Sequence, residues 1–313
     1  MKYPKFLKTG DTIGITALSS GAGDCLKETK ISLNHFKKDY HLVVTPNVYN
    51  PGYVSSDIKT RKEEFANLLK EDIKLLLNIR GGDFLYEVLD YLDLKELVKK
   101  NIWTMGYSDI TSLLYLLTTK YDLATIYGFN AKSFDTEELE PYQLNNLKIL
   151  QGNLFKQESF HDRETQSLNG DFAASGILIG GCLDVLRFLP GTNNDYTLKF
   201  IEKYKKHKII WYFDIFCMDS VDVYLTLLQL KKIGWFKYTD TILVGSVLFS
   251  KEECDLSYKE AFKKVFPNLN IIYDANIGHV KPVFTIINGS LGKVTYQKDT
   301  MTLEMEFLNE NNG

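Results

Sequence analysis

Short apolar runs alternate with longer amphipathic stretches through the first half of the chain. "DTIGITAL" reads as a buried strand, "KETKISLNHFKKDY" as a helix and "HLVVTPNV" as a second strand. "SDIKTRKEEFANLLKE" continues with an amphipathic helix that Ser56 or Asp57 would cap. The pattern then repeats: "IKLLLNIRGG" is a strand ending in a glycine turn, "FLYEVLDYLD" a helix, "IWTMGYSD" a strand, "ITSLLYLLTTKY" a helix and "ATIYGFNA" a further strand. Such alternation predicts a parallel sheet covered on both faces, whose ligands gather beyond the carboxyl ends of the strands.

The alternation stops at "KQESFHDRETQSLNGDF", which is polar and has no apolar period. A domain junction is therefore expected at 155–172, with an N-terminal domain over 1–160, a linker over 161–172 and a C-terminal domain over 173–313. The second domain includes "ASGILIGGCLDVL", "KIIWYFDIF", the helix "DVYLTLLQLKKIGWF", the strand "TILVGSVLF" and closing strands around "VFTIINGSLGKVTYQ" and "TLEMEF". The predicted fold class is α/β, an N-terminal parallel α/β sandwich domain followed by a smaller mixed β/α domain. The terminal "NENNG" is expected to fray.

Length and composition narrow this picture without changing it. A chain of 313 residues suits two domains of ordinary size. The formal charge is −3 and the basic residues are dispersed, so no nucleic acid partner is expected. The lysines at the start precede no secretory apolar stretch, which points to an unexported, cytoplasmic protein. Three aspartates interrupt the most apolar segment, "IIWYFDIFCMDSVDVYLTLLQL", so no membrane span is expected and the protein should be soluble. Cys25, Cys182, Cys217 and Cys254 lie far apart without CxxC spacing, which argues against a zinc knuckle and a disulfide framework. Free thiols fit a reducing compartment, and no metal or cofactor is called for.

Ser108 is the first candidate for chemistry. A serine on a tight strand-to-helix turn projects its hydroxyl from the sheet edge, where the next backbone amide can stabilise an oxyanion. The same position suits a plain helix cap, and residue 110 is isoleucine, so the glycine of the usual nucleophile elbow is missing. A nucleophilic serine needs a base. Of the five histidines, His35, His41, His161 and His207 sit in contexts that read as solvated surface, whereas His279 in "ANIGHVKP" lies on a loop entering a strand. Asp214 closes the apolar strand "IIWYFD" and could orient the imidazole, or could simply bond to the loop that follows. Asp219 and Asp222 read as the cap and first-turn charge of the next helix. In "NIRGGDF", Gly81 and Gly82 would let backbone amides approach a ligand, and Arg80 could bind a carboxylate. "SSGAGD" faintly suggests a dinucleotide loop, but its third glycine position is Leu26.

Together "GDTIGITALSS", "GYVSSDIKTRKEEF", "RGGDFLYEVLDYLD", "GYSDITSLLY", "IGGCLDVLRFLPGT", the segment Ile209 to Phe236 and "GHVKPVFTIINGSLGKV" resemble, in order, the LD-carboxypeptidase family of serine peptidases. That family includes muramoyltetrapeptide carboxypeptidases and microcin C self-immunity proteins. The resemblance implies Ser108 as nucleophile and His279 as base, with Gly82 and Asp109 backbone amides as the oxyanion hole. The third member is a glutamate in the family. Counting back sixteen residues from Leu230 reaches Asp214 here, while a slip of one would put Phe213 there. The family's "GGN" stands as "GGC", with Cys182 in place of asparagine.

The implied activity is release of terminal D-alanine from cytoplasmic murein tetrapeptide in cell-wall recycling, with Arg80 and Gly81 near a small peptide or muropeptide. A homodimer is implied as well. One alternative is a self-immunity peptidase cutting aminoacyl or peptidyl nucleotides, for which Trp211, Tyr212 and Trp235 could supply an aromatic platform. Another is a non-catalytic peptide-binding protein that has lost an efficient triad.

Overall fold

The computed structural model describes residues 1–308, so the expected fraying of "NENNG" lies outside the described residues. The chain divides into two units, the first ending at Leu154 and the second starting at Phe155. In the first, β1 (Thr12–Thr16), β2 (His41–Val44), β3 (Ile73–Asn78), β4 (Trp103–Gly106) and β5 (Thr125–Tyr127) pair in the order 5-4-3-1-2. All four pairings are parallel. Parallel neighbours need crossovers, which α1 (Leu26–Lys37), α2 (Ile58–Leu68), the short α3 (Leu85–Val88), α4 (Leu94–Lys100) and α5 (Thr111–Tyr121) supply before α6 (Pro141–Leu150) closes the unit.

Leu75, Leu76 and Leu77 of β3 are all fully buried, as expected of a strand covered on both faces. In α5 every residue from Thr111 to Thr119 is buried, so this helix is wrapped by protein on all sides. Asp57 caps α2 through a side chain that accepts from the Thr60 amide, settling the choice between it and Ser56. The expected helix "FLYEVLDYLD" is instead α3 followed by a 3-10 turn. Because β2 and β3 lie on opposite sides of β1, the chain reverses its direction of winding there. The loops after β1 and β3 therefore flank a topological switch point, the place where α/β sheets open a crevice.

The second unit is built on β6 (Lys156–Glu158), β7 (Gln166–Ser167), β8 (Phe172–Cys182), β9 (Ile209–Asp214), β10 (Thr239–Gly245), β11 (Asn270–Ala275), β13 (Leu291–Gln297) and β14 (Thr300–Glu306). Their order is 6-14-13-8-9-10-11-7, with a parallel centre of β8 to β11 and antiparallel neighbours on either side. Helices α7 (Leu183–Leu186), α8 (Thr197–Tyr204), α9 (Ser220–Lys232) and α10 (Tyr258–Val265), with the short strand β12 (Ile286–Asn288), complete it. Asp219 caps α9 by accepting from the Asp222 amide, as its position suggests.

Residues 161–172, expected as a linker, are not one. They carry β7, which pairs with β11, and β6 just before them pairs with β14. Their polarity reflects sheet-edge positions and loop-binding side chains.

Candidate active site

Three neighbouring strands of the first unit end at the candidate residues. Ser19 and Ser20 follow β1, Arg80 to Gly82 follow β3, and Ser108 and Asp109 follow β4. Ser108 has φ +63°, a left-handed conformation that a serine adopts only where its surroundings hold it. Asn130, from the loop after β5, holds the preceding residue, Tyr107, by both its amide and its carbonyl. It accepts from the Tyr107 amide at 3.3 Å and donates to the Tyr107 carbonyl at 3.4 Å. No side chain caps the 3-10 turn Ser108–Ile110 or α5, so the helix-cap reading of Ser108 does not hold. Gly81 leaves room for it: a β-carbon on residue 81 would stand 3.0 Å from Ser108 Cβ and 3.1 Å from its Oγ.

The Asp109 side chain faces inward and is nearly fully buried. One carboxylate oxygen accepts from Ser19 Oγ at 2.5 Å and from the Leu85 amide at 2.9 Å, while Ser19 Oγ also accepts from the Phe84 amide at 3.2 Å. Burial pushes this carboxyl up to about 6, with those hydrogen bonds pulling against the shift and the Asp83 charge adding to it. From the other side the fully buried Arg61 donates to the Phe84 carbonyl at 2.8 Å and the Leu18 carbonyl at 3.0 Å, and pairs with Glu87. The turn carrying Gly82 is thus clamped between Asp109 and Arg61. Arg80 is partly exposed and lies 3.2 Å from Asp24.

In the second unit, Asp214 ends β9 fully buried and His279 lies on the loop after β11. His279 Nδ1 is 2.8 Å from Asp214 Oδ2, and the His279 amide donates to Asp214 Oδ1 at 3.3 Å. The residue that meets the imidazole is therefore Asp214 and not Phe213, which is buried in the core. Gly278 makes the approach possible. It has φ +93°, and a β-carbon there would fall 2.0 Å from Asp214 Oδ1. Phe216 packs against the ring at 4.6 Å between centroids, tilted by 44°. Its loop is fixed by Asp184, which accepts from the amides of Phe216 and Cys217 at 2.9 Å and of Met218 at 3.1 Å. Cys182 faces Asp214 across the β8–β9 pairing, and burial, then the Asp214 and Asp184 charges, push its thiol well up, so it stays protonated.

The two halves of the chain match family models described as the LD-carboxypeptidase N-terminal domain, over residues 13–128, and the LD-carboxypeptidase C-terminal domain, over residues 175–294. The chain belongs to the LD-carboxypeptidase family. One curated relative is the microcin C7 self-immunity protein MccF of Escherichia coli, 32% identical over 126 residues, or 39% of this chain and 37% of that protein. Among solved structures, MccF in complex with aspartyl sulfamoyl adenosine superposes with a TM-score of 0.81 at 18% identity, covering 98% of this chain and 99% of the other. A muramoyltetrapeptide carboxypeptidase from Oxalobacter formigenes gives 0.76 at 18% identity, over 95% of this chain and all of that one.

For an LD-carboxypeptidase family member, the aromatic residues nearest His279 are not those expected from sequence. Trp211, Tyr212 and Trp235 are fully buried, with Trp211 stacked on Trp235 at 5.6 Å, so they are core and form no open platform. The accessible aromatics are Phe216 and Phe249, in edge contact at 5.1 Å on the loops after β9 and β10. Phe249 is 58% exposed. His35 is not simply solvated either, since its Nε2 lies 2.8 Å from the Thr136 carbonyl. No helix among the described residues is long and apolar enough to cross a membrane.

Proposed function

We propose that the protein is a serine carboxypeptidase that releases terminal D-alanine from murein tetrapeptide by hydrolysing an L,D peptide bond. The observation that carries this reading is the Asp214–His279 pair: Nδ1 lies 2.8 Å from a fully buried carboxylate, the arrangement that orients an imidazole for general-base work. Ser108 Oγ attacks the scissile carbonyl while His279 Nε2 accepts its proton, and the backbone amides of Gly82 and Asp109 stabilise the oxyanion. His279 then protonates the departing amine of D-alanine. Water, deprotonated by the same nitrogen, hydrolyses the acyl-enzyme and restores Ser108.

Asp214 holds the imidazolium formed in each half-reaction. It is one methylene shorter than the family's glutamate, and the glycine at 278 supports that substitution by letting the histidine loop close onto it. Arg80 is the candidate partner for the substrate's terminal carboxylate, displacing Asp24, with Gly81 beside it. The structural neighbour named as a muramoyltetrapeptide carboxypeptidase supports the murein substrate; a cytoplasmic place in cell-wall recycling and a homodimer are part of the same proposal. A second reading, cleavage of aminoacyl or peptidyl nucleotides, is favoured by one observation, the accessible Phe216–Phe249 pair beside His279, which suits stacking of a base.

A fluorophosphonate probe followed by peptide mass spectrometry tests the serine mechanism common to both. The expected product is a single adduct on Ser108, and its absence from folded protein would contradict a serine peptidase and leave the non-catalytic binding role.

A further inference from the structure

The loop from Asn276 to Thr285, which carries His279, belongs to no strand or helix, so its backbone groups need partners from elsewhere. Many come from the segment 159–165, between β6 and β7. Arg163 points into the loop directly after the histidine. Its Nη1 donates to the Val280 carbonyl at 3.0 Å and to Ser246 Oγ at 3.3 Å. Its Nη2 donates to the Lys281 carbonyl at 2.7 Å and reaches that of Pro282 at 3.5 Å. Nε and Nη2 also engage Asp162, at 2.8 and 2.7 Å.

A second strap runs alongside. Asn276 Nδ2 donates to Asp162 Oδ1 and to the Pro282 carbonyl, both at 3.1 Å, while its Oδ1 accepts from the Phe160 amide at 3.0 Å. The Arg163 side chain is only 13% exposed, so these bonds form largely out of water.

We propose that Arg163 is a positioning residue for His279. One planar guanidinium ties the carbonyls of the three residues after the histidine to Ser246 at the end of β10, and Asp162 sets the angle of the fork. The loop has no regular backbone ladder to do this. Lysine is a poor substitute, because a single ammonium on a flexible stem does not span several carbonyls in fixed directions. Arg163 touches no reacting atom in this scheme. It acts by keeping the imidazole at Asp214 and correctly aimed, and a displacement of about 1 Å can reduce a rate by about 100-fold. The proposal rests on His279 being the general base.

The test uses the full-length protein with Arg163→Lys and Arg163→Ala, read in three ways. Fluorophosphonate labelling of Ser108 should slow by roughly 10- to 100-fold in both variants. Added guanidinium should recover part of the rate in Arg163→Ala. The downfield proton resonance of His279 Nδ1–H, which does not depend on any substrate, should weaken or move in both. Thermal unfolding gives the folded fraction, to which the rates are normalised. Normalised labelling at the wild-type rate with an unchanged resonance would overturn the proposal. If the wild-type protein itself is not labelled, the serine-peptidase reading fails, and the resonance then decides by itself whether Arg163 holds the histidine.

Discussion

Burial holds the Asp109 carboxyl at about 6, so the folded chain keeps this proton more firmly than the unfolded chain, in which the value is near 3.8. Its contribution to stability is therefore complete below about pH 4 and is lost as pH rises through about 6. The whole loss is about 3 kcal/mol, since the folded chain holds the proton roughly a hundredfold more tightly and the group is nearly removed from water. Asparagine cannot ionise, so Asp109→Asn should cost less stability at pH 7.5 than at pH 4.5, by roughly 2 kcal/mol. Urea unfolding of both proteins at the two values checks this, and an equal cost at both would contradict it. Asp109 was legible in sequence only as a backbone amide, because its side-chain partners Ser19 and Leu85 lie far away along the chain. Arg163 and Asp184 were not legible as contributors for the same reason: each acts through backbone groups that only the fold brings near. The glycines gave a better local signal, since Gly81 and Gly278 stand where a β-carbon would strike Ser108 or Asp214.

Apolar strands and the amphipathic helices α1 and α2 were legible in the sequence, and the shortest polar strands were not. β3 and β9 are largely apolar runs, and these strands with β1, β4 and β10 stand where the pattern places them. Helix α10 went unread although Tyr258, Ala261, Phe262 and Val265 recur at helical spacing and Ser257 and Glu260 form a capping box at its start, a signature visible in "SYKE". β6 and β7 are two or three polar residues each, and only their partners in the sheet make them strands. The platform expected at Trp211 and Tyr212 is absent because β9 is covered on both faces, so these successive residues, which point to opposite faces, are equally buried. Helix α5 is the element on which Ser108 depends, since it begins immediately after the Ser108 turn and is wrapped by the core. Leu113→Ala removes a fully buried side chain from it and should cost about 2–5 kcal/mol, read as a lowered urea midpoint. A midpoint equal to that of the wild type would mean that α5 is not packed as described.

Both units follow one plan, in which a parallel set of strands has the candidate residues at or just beyond its carboxyl ends. In the first these are the turns after β1, β3 and β4, and in the second the ends of β8, β9 and β11. That plan follows from the βαβ alternation, and membership of the LD-carboxypeptidase family agrees with it. The most direct test of the serine carboxypeptidase reading is release of D-alanine from purified murein tetrapeptide by the wild-type protein and by Ser108→Ala, followed by mass spectrometry. Loss of a single alanine is expected with the wild type, and a fall of about 10³-fold or more in the variant. Intact tetrapeptide after incubation with folded wild-type protein, or equal release by Ser108→Ala, would contradict that reading.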